Sequence, residues 1–142
     1  MVIIRRKLIR MVSFSIAIVL FLSCMAPIAS ARGSLYISNY SATMEAGNNG
    51  YVSIGYHITG TDVMDVIGAI SVTIYENGVA VKNYSDTNTP GLLAYNVGIH
   101  WKTLTYAGTV GKKYSAYVTY KAGRDGGWDN RGLDSNSVYA KN

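Results

Sequence analysis

Cysteine is almost absent. The chain has one, Cys24, among 142 residues, and it lies in the N-terminal apolar run. No disulfide can form in the remainder, which excludes a disulfide-stapled scaffold. Phenylalanine is equally scarce, with both Phe14 and Phe21 in the same run. Histidine is limited to His57 and His100, which have no paired histidine at metal-ligand spacing. No zinc-protease motif, phosphate-cradling glycine loop or nucleophile elbow occurs, and no cofactor motif is present. Ser-His-Asp combinations can be assembled from many positions, and that freedom deprives them of weight. Repeats, low-complexity runs, heptads and domain linkers are missing too.

The one long apolar run follows Arg5, Arg6, Lys7 and Arg10. It extends uncharged from Met11 to Met25 and leads to Ala29-Ser30-Ala31, with small residues at both positions of a cleavage site. This is the pattern of a secretory signal peptide. The run is short for a membrane span, which needs roughly 20 apolar residues. The expected division is therefore a signal helix over 1–31, cut after Ala31, and one domain over 32–142. Phe21-Leu22-Ser23-Cys24 distantly resembles a lipoprotein signal. Ser23 suits that motif, whereas Phe21, Leu22 and Met25 fit it poorly. The expected location is secreted or cell-surface, with membrane contact only during export.

Removing the signal changes the charge. The whole chain carries +5. Beyond Ala31, nine basic residues face eight acidic ones, a net charge of +1. The basic character is thus mostly a targeting feature. It gives no argument for a nucleic-acid partner, which needs a clustered basic face.

What remains is rich in strand and turn formers: all 12 Tyr, both Trp and all 15 Gly. Strands are expected over Leu35–Met44, Tyr51–Thr59, Ile67–Glu76, Val79–Tyr84, Ile99–Tyr106, the stretch around Tyr114–Tyr120, and Asp134–Lys141. In the second, Val52, Ile54, Tyr56 and Ile58 share one face, the pattern of a half-buried strand. Asn77-Gly78 between two alternating runs predicts a type I′ hairpin. Thr61 to Asp65 suggests a single helical turn capped by Thr61. Pro90-Gly91 marks a turn in a crossing between sheets, with Leu92 or Leu93 plugging the core. In Ile99–Tyr106 the faces conflict, so a bulge is expected. Ala122–Leu133 reads as a Gly-rich loop.

Seven strands in about 110 residues predict an all-β, two-sheet antiparallel sandwich. Val110, Tyr114, Ala116 and Val118 resemble the tyrosine corner of immunoglobulin-like and fibronectin type III domains, in which the hydroxyl bonds back across the corner. Ala116 stands where antibody domains place the second core cysteine. The chain over 35–141 also resembles an uncharacterised family of small secreted proteins of Gram-positive bacteria. That likeness rests on Tyr36-Ile37-Ser38-Asn39-Tyr40-Ser41-Ala42, Thr59-Gly60-Thr61, Met64-Asp65-Val66-Ile67-Gly68-Ala69, Thr105-Tyr106-Ala107-Gly108 and Gly111-Lys112-Lys113-Tyr114. It implies compartment and fold, and no activity.

Trp128 is the leading site candidate, in an expected loop with Asp129 and Asn130. Exposed, it would stack on a sugar ring or anchor a partner; folded over a sheet edge, it would be a cap. Tyr117 joins it, with Tyr51 and Thr119 as a sheet-face patch or as ordinary cross-strand pairs. Asp125, Asp129, Asn130 and Asp134 are oxygen ligands of the kind calcium takes, and equally ordinary turn formers. The function expected is a non-catalytic module for an extracellular glycan, wall polymer or protein. The alternatives are a small secreted hydrolase, using a carboxylate pair or His100 with an Asp, and a secreted effector or bacteriocin-like protein.

Overall fold

Alternating apolar residues organise the chain into two packed sheets. The computed structural model describes residues 33–142; the expected signal segment, with Cys24, Ala29 and Ala31, lies outside the described residues. Seven main strands run in order: β1 (Ile37–Ala46), β2 (Tyr51–Met64), β3 (Val66–Glu76), β4 (Val79–Ser85), β6 (Val97–Ala107), β7 (Lys113–Arg124) and β8 (Gly127–Asp134). Two short ones, β5 (Leu93–Ala94) and β9 (Val138–Tyr139), complete the set. The first sheet has the order β1-β2-β6 and the second β4-β3-β7-β8, with β5 on β3 and β9 on β7. All pairings are antiparallel.

The core lies between the sheets, inside the unit Ser34–Asn142. Val52, Ile54, Tyr56 and Ile58 of β2 are all buried, as their alternation predicts. From the other sheet come Ile67, Ala69, Val72 and Ile74 of β3 and Tyr114, Ala116, Val118, Tyr120 and Ala122 of β7. Each Val or Ile buried this way stabilises the fold by about 1.5–3 kcal/mol before entropy is counted. Phenylalanine's place is taken by tyrosine, whose hydroxyls need partners. Tyr120 finds one in the Ser41 carbonyl and Tyr56 in the Leu92 carbonyl at 2.9 Å. Their rings meet edge to face, centroids 6.1 Å apart.

The corner before β7 is built on Tyr114. Its buried hydroxyl accepts the Thr109 amide at 2.8 Å, five residues back, and donates to the Glu76 carboxylate. The expected backward bond is therefore present, but the backbone partner is a donor, because Glu76 takes the hydroxyl's own proton. Ala116, two residues after Tyr114, is buried in the core. Leu92 plugs the core, fully buried, while Leu93 is half-exposed.

Three local expectations are corrected. The segment Gly60–Asp65 holds no helical turn: β2 runs on to Met64, and Thr61 caps nothing. Its amide and hydroxyl are satisfied by the Tyr36 and Leu35 carbonyls instead. The expected bulge in Ile99–Tyr106 is absent, since pairing with β2 is regular from Ala107 to Ile99. The apparent conflict has a simple origin: Ile99 and Trp101 point out to solvent. Finally, Ala122–Leu133 is no loop. It is the end of β7, a tight turn and β8, so the last long strand is Gly127–Asp134 and Asp134–Lys141 contributes only β9. Asp125 and Gly126 both take positive φ, 54° and 80°, as a type I′ hairpin requires.

Candidate ligand-binding face

β8 is a two-sided strand at a sheet edge. Trp128, Asn130, Gly132 and Asp134 point outward, and Gly127, Asp129, Arg131 and Leu133 point inward. Its pairing with β7 sets Trp128 opposite Gly123, Asn130 opposite Lys121, Gly132 opposite Thr119 and Asp134 opposite Tyr117. The outer face therefore carries Trp128, Asn130, Lys121, Thr119 and Tyr117 side by side.

The aromatic groups on this face are held rather than loose. Trp128 is 60% exposed, and the Lys121 ammonium lies 5.2 Å from its ring centroid. That cation–π contact fixes the ring while leaving area open to solvent. Tyr117 leans across onto β8. Its ring occupies the space above Gly132, where any Cβ would collide with the Tyr117 hydroxyl. Trp128 and Gly132 are four residues apart, about 13 Å along the strand. The Asn130 side chain sits between them on the same face. On its other side Tyr117 pairs with Thr73, whose hydroxyl accepts from the Asn83 amide at 3.0 Å. Two platforms, an amide and hydroxyls along a flat sheet form a surface suited to an extended polar ligand.

Of the four sequence-nominated residues, Trp128, Asn130 and Tyr117 are thus brought together. Asp129 is not. It faces the other way, and its Oδ2 accepts the Ser34 hydroxyl at 2.6 Å and the Leu35 and Tyr36 amides at 2.7 and 3.2 Å. The Ser34 hydroxyl first, then those amides, hold its carboxyl below the ordinary aspartate range. Tyr51 is also separated, since it lies on β2 in the opposite sheet from Tyr117 and Thr119. Asp125, Asp129, Asn130 and Asp134 do not converge, because Asp125 is in the turn and the others alternate faces. Among the described residues no three His, Cys, Asp or Glu side chains gather as a metal site.

The two histidines lie on opposite faces of one sheet. His57 is outward, paired across from Trp101. His100 is inward, with Nε2 3.1 Å from the Gly91 carbonyl and 3.3 Å from the Tyr56 hydroxyl. Burial pulls its basicity down. Beside it the Lys102 ammonium donates to the Pro90 carbonyl at 3.0 Å. Together with Tyr56, these side chains hold three successive carbonyls, Pro90 to Leu92. Both contribute to fixing the crossing segment.

No family model and no curated protein matches the chain. Among solved structures it is similar to Spo0M, a sporulation control protein from Bacillus subtilis, at 11% identity and a TM-score of 0.44. The similarity covers 78% of this chain and 50% of that one, so the chain spans about half the length of that protein.

Two features of these faces do not show in the sequence pattern at first sight. Lys121 is one, because the Gly-rich sequence around its partner Trp128 reads as a loop and hides the cross-strand neighbour. Trp101 is the other, 70% exposed and more open than Trp128. The signal was available: Ile99 and Trp101 alternate out of phase with Leu104 and Tyr106, which places them outside if the latter are inside.

Proposed function

We propose that the protein is a small secreted or cell-surface β-sandwich that acts as a non-catalytic binding module for an extracellular glycan or wall polymer, through the outer face of β7 and β8. The observation that carries this reading is the open Trp128 ring backed by Lys121, with Tyr117 over Gly132 and Asn130 between. Flat aromatic faces suit the apolar faces of sugar rings, and the amide and hydroxyls suit their hydroxyl rims. The face carries two cations, Lys121 beside Trp128 and Lys113 at the far end of β7, and one carboxylate, Asp134; a net charge of +1 is too little for a nucleic acid and favours a neutral ligand. Export is part of the proposal. It is supported by the basic segment, apolar run and Ala29-Ser30-Ala31 site, and by the resemblance of residues 35–141 to small secreted proteins of Gram-positive bacteria.

The test is retention of the full-length chain on insoluble cellulose, chitin and cell-wall fragments. Trp128→Ala should weaken retention at least thirtyfold, the loss expected for a central aromatic anchor worth about 2 kcal/mol. Equal retention of the variant and the parent would remove Trp128 from the site.

A further inference from the structure

The outer face of the other sheet carries a second exposed tryptophan. Trp101 is 70% exposed and Ile99, two residues before it on β6, is 56% exposed. Across the strand from Trp101 is His57, and the neighbouring pair is Thr103 opposite Gly55. Gly55 leaves the floor beside the indole low: a Cβ there would meet only the Thr103 Oγ1 at 3.8 Å and the Thr43 carbonyl at 4.0 Å. The result is a shallow trough with an aromatic wall.

The chemistry of this face selects its occupant. Among the described residues no Lys or Arg points outward from it. Among the described residues pointing outward from this sheet, Glu45 on the edge strand β1 is the one carboxylate and His57 the one imidazole. The rest is largely hydroxyl: Ser53 and Thr105 form one cross-strand pair, and Thr103 borders the trough. Nucleic acid or anionic lipid would find no cations here. Protein interfaces favour Trp but are depleted in Ser, and their anchors are poor in Thr. An uncharged, polyhydroxylated chain matches both the indole and the hydroxyls.

The two tryptophans look in opposite directions. In a two-layer sandwich the outer faces of the sheets point away from each other, about 10 Å plus side chains apart. One polysaccharide strand cannot lie flat on both. We infer that the domain is two-sided, with Trp101, Ile99, Thr103 and the Gly55 floor forming a second site for an uncharged polysaccharide, so that one molecule bridges two polymer chains. This rests on the reading of the Trp128 face given above and adds a second valence to it.

The experiment loads insoluble cellulose or chitin with the full-length chain, washes it, and offers a fluorescent soluble β-glucan. The parent should carry the glucan onto the particles. Trp101→Ala should stay on the particles through the Trp128 face, and Trp128→Ala should stay on them through the Trp101 face but at least thirtyfold more weakly; each should capture less than a tenth of the label. The double variant should lose the particles altogether. Thr103→Lys keeps the indole and puts a charge beside it, and it should behave like Trp101→Ala. If Trp101→Ala captures as much glucan as the parent while Trp128→Ala loses all retention, the bridging idea fails and the Trp128 site stands. If Trp128→Ala changes nothing and Trp101→Ala abolishes retention, both fail. Retention only on wall fragments, abolished by protease treatment of those fragments, would identify a protein ligand and overturn the polysaccharide assignment.

Discussion

The Tyr114 hydroxyl joins three segments through one oxygen. It accepts the Thr109 amide from the β6–β7 corner and donates to Glu76 at the end of β3. Burial, then the bond to Glu76, raises the phenol above its ordinary basicity, so it stays protonated and remains a donor. Removing it orphans the Thr109 amide and leaves Glu76 without its proton donor. Tyr114→Phe should therefore cost about 2 kcal/mol, for the loss of two part-buried hydrogen bonds, one of them to a carboxylate. A urea midpoint that moves by less than a few tenths of a kcal/mol equivalent would show that water replaces the hydroxyl. Trp128 and Trp101 are the opposite kind of residue. Both are exposed, so their replacement should leave stability nearly unchanged and act on binding alone.

Hairpins set the faces on which these side chains stand. Asn77-Gly78 and Asp125-Gly126 adopt the same geometry, with positive φ at both positions. The turn chemistry is identical, yet only the first is readable from its flanks. Around Asn77-Gly78 both strands alternate; after Asp125-Gly126 the inward positions are Gly127, Asp129, Arg131 and Leu133, with one apolar side chain among them. Nothing lies within 4 Å of a Cβ added at Gly126, whose φ is 80°. Its substitution is therefore a pure test of backbone strain. Gly126→Ala should destabilise by about 1 kcal/mol, and Gly126→Asn by clearly less, since asparagine tolerates the left-handed region. Thermal unfolding of the two variants separates them. Equal losses would mean that the turn is not held in the I′ form. Because β8 depends on that turn, either change should also weaken the Trp128 face.

At the scale of the whole molecule, Asp129 ties the segment leading into β1 of one sheet to β8 of the other. Its carboxyl is held below the ordinary range in the folded state, so the folded state binds fewer protons than the unfolded one. The stabilisation is full above the unfolded value near 4 and is lost as pH falls through the folded value. Asp129→Asn should cost about 1 kcal/mol at pH 7, and that difference should shrink steadily below about pH 4. Denaturation curves of parent and variant at pH 7 and pH 3 check it; a gap that persists at pH 3 would assign the loss to shape rather than charge. The all-β class, the main strands through β7, the first hairpin and the Tyr114 corner were legible in the sequence, because each depends on residues close together in the chain: alternation, turn formers and a fixed spacing. Tertiary structure decided the rest. It made β8 a strand at the sheet edge, where pairing with β7 supplies what its own inward residues lack. It turned Trp128 outward and Asp129 inward, a choice that follows from register and that no single-residue property dictates. It also put the two tryptophans on opposite faces, since only the closing of one sheet over the other defines which side of each strand is the outside.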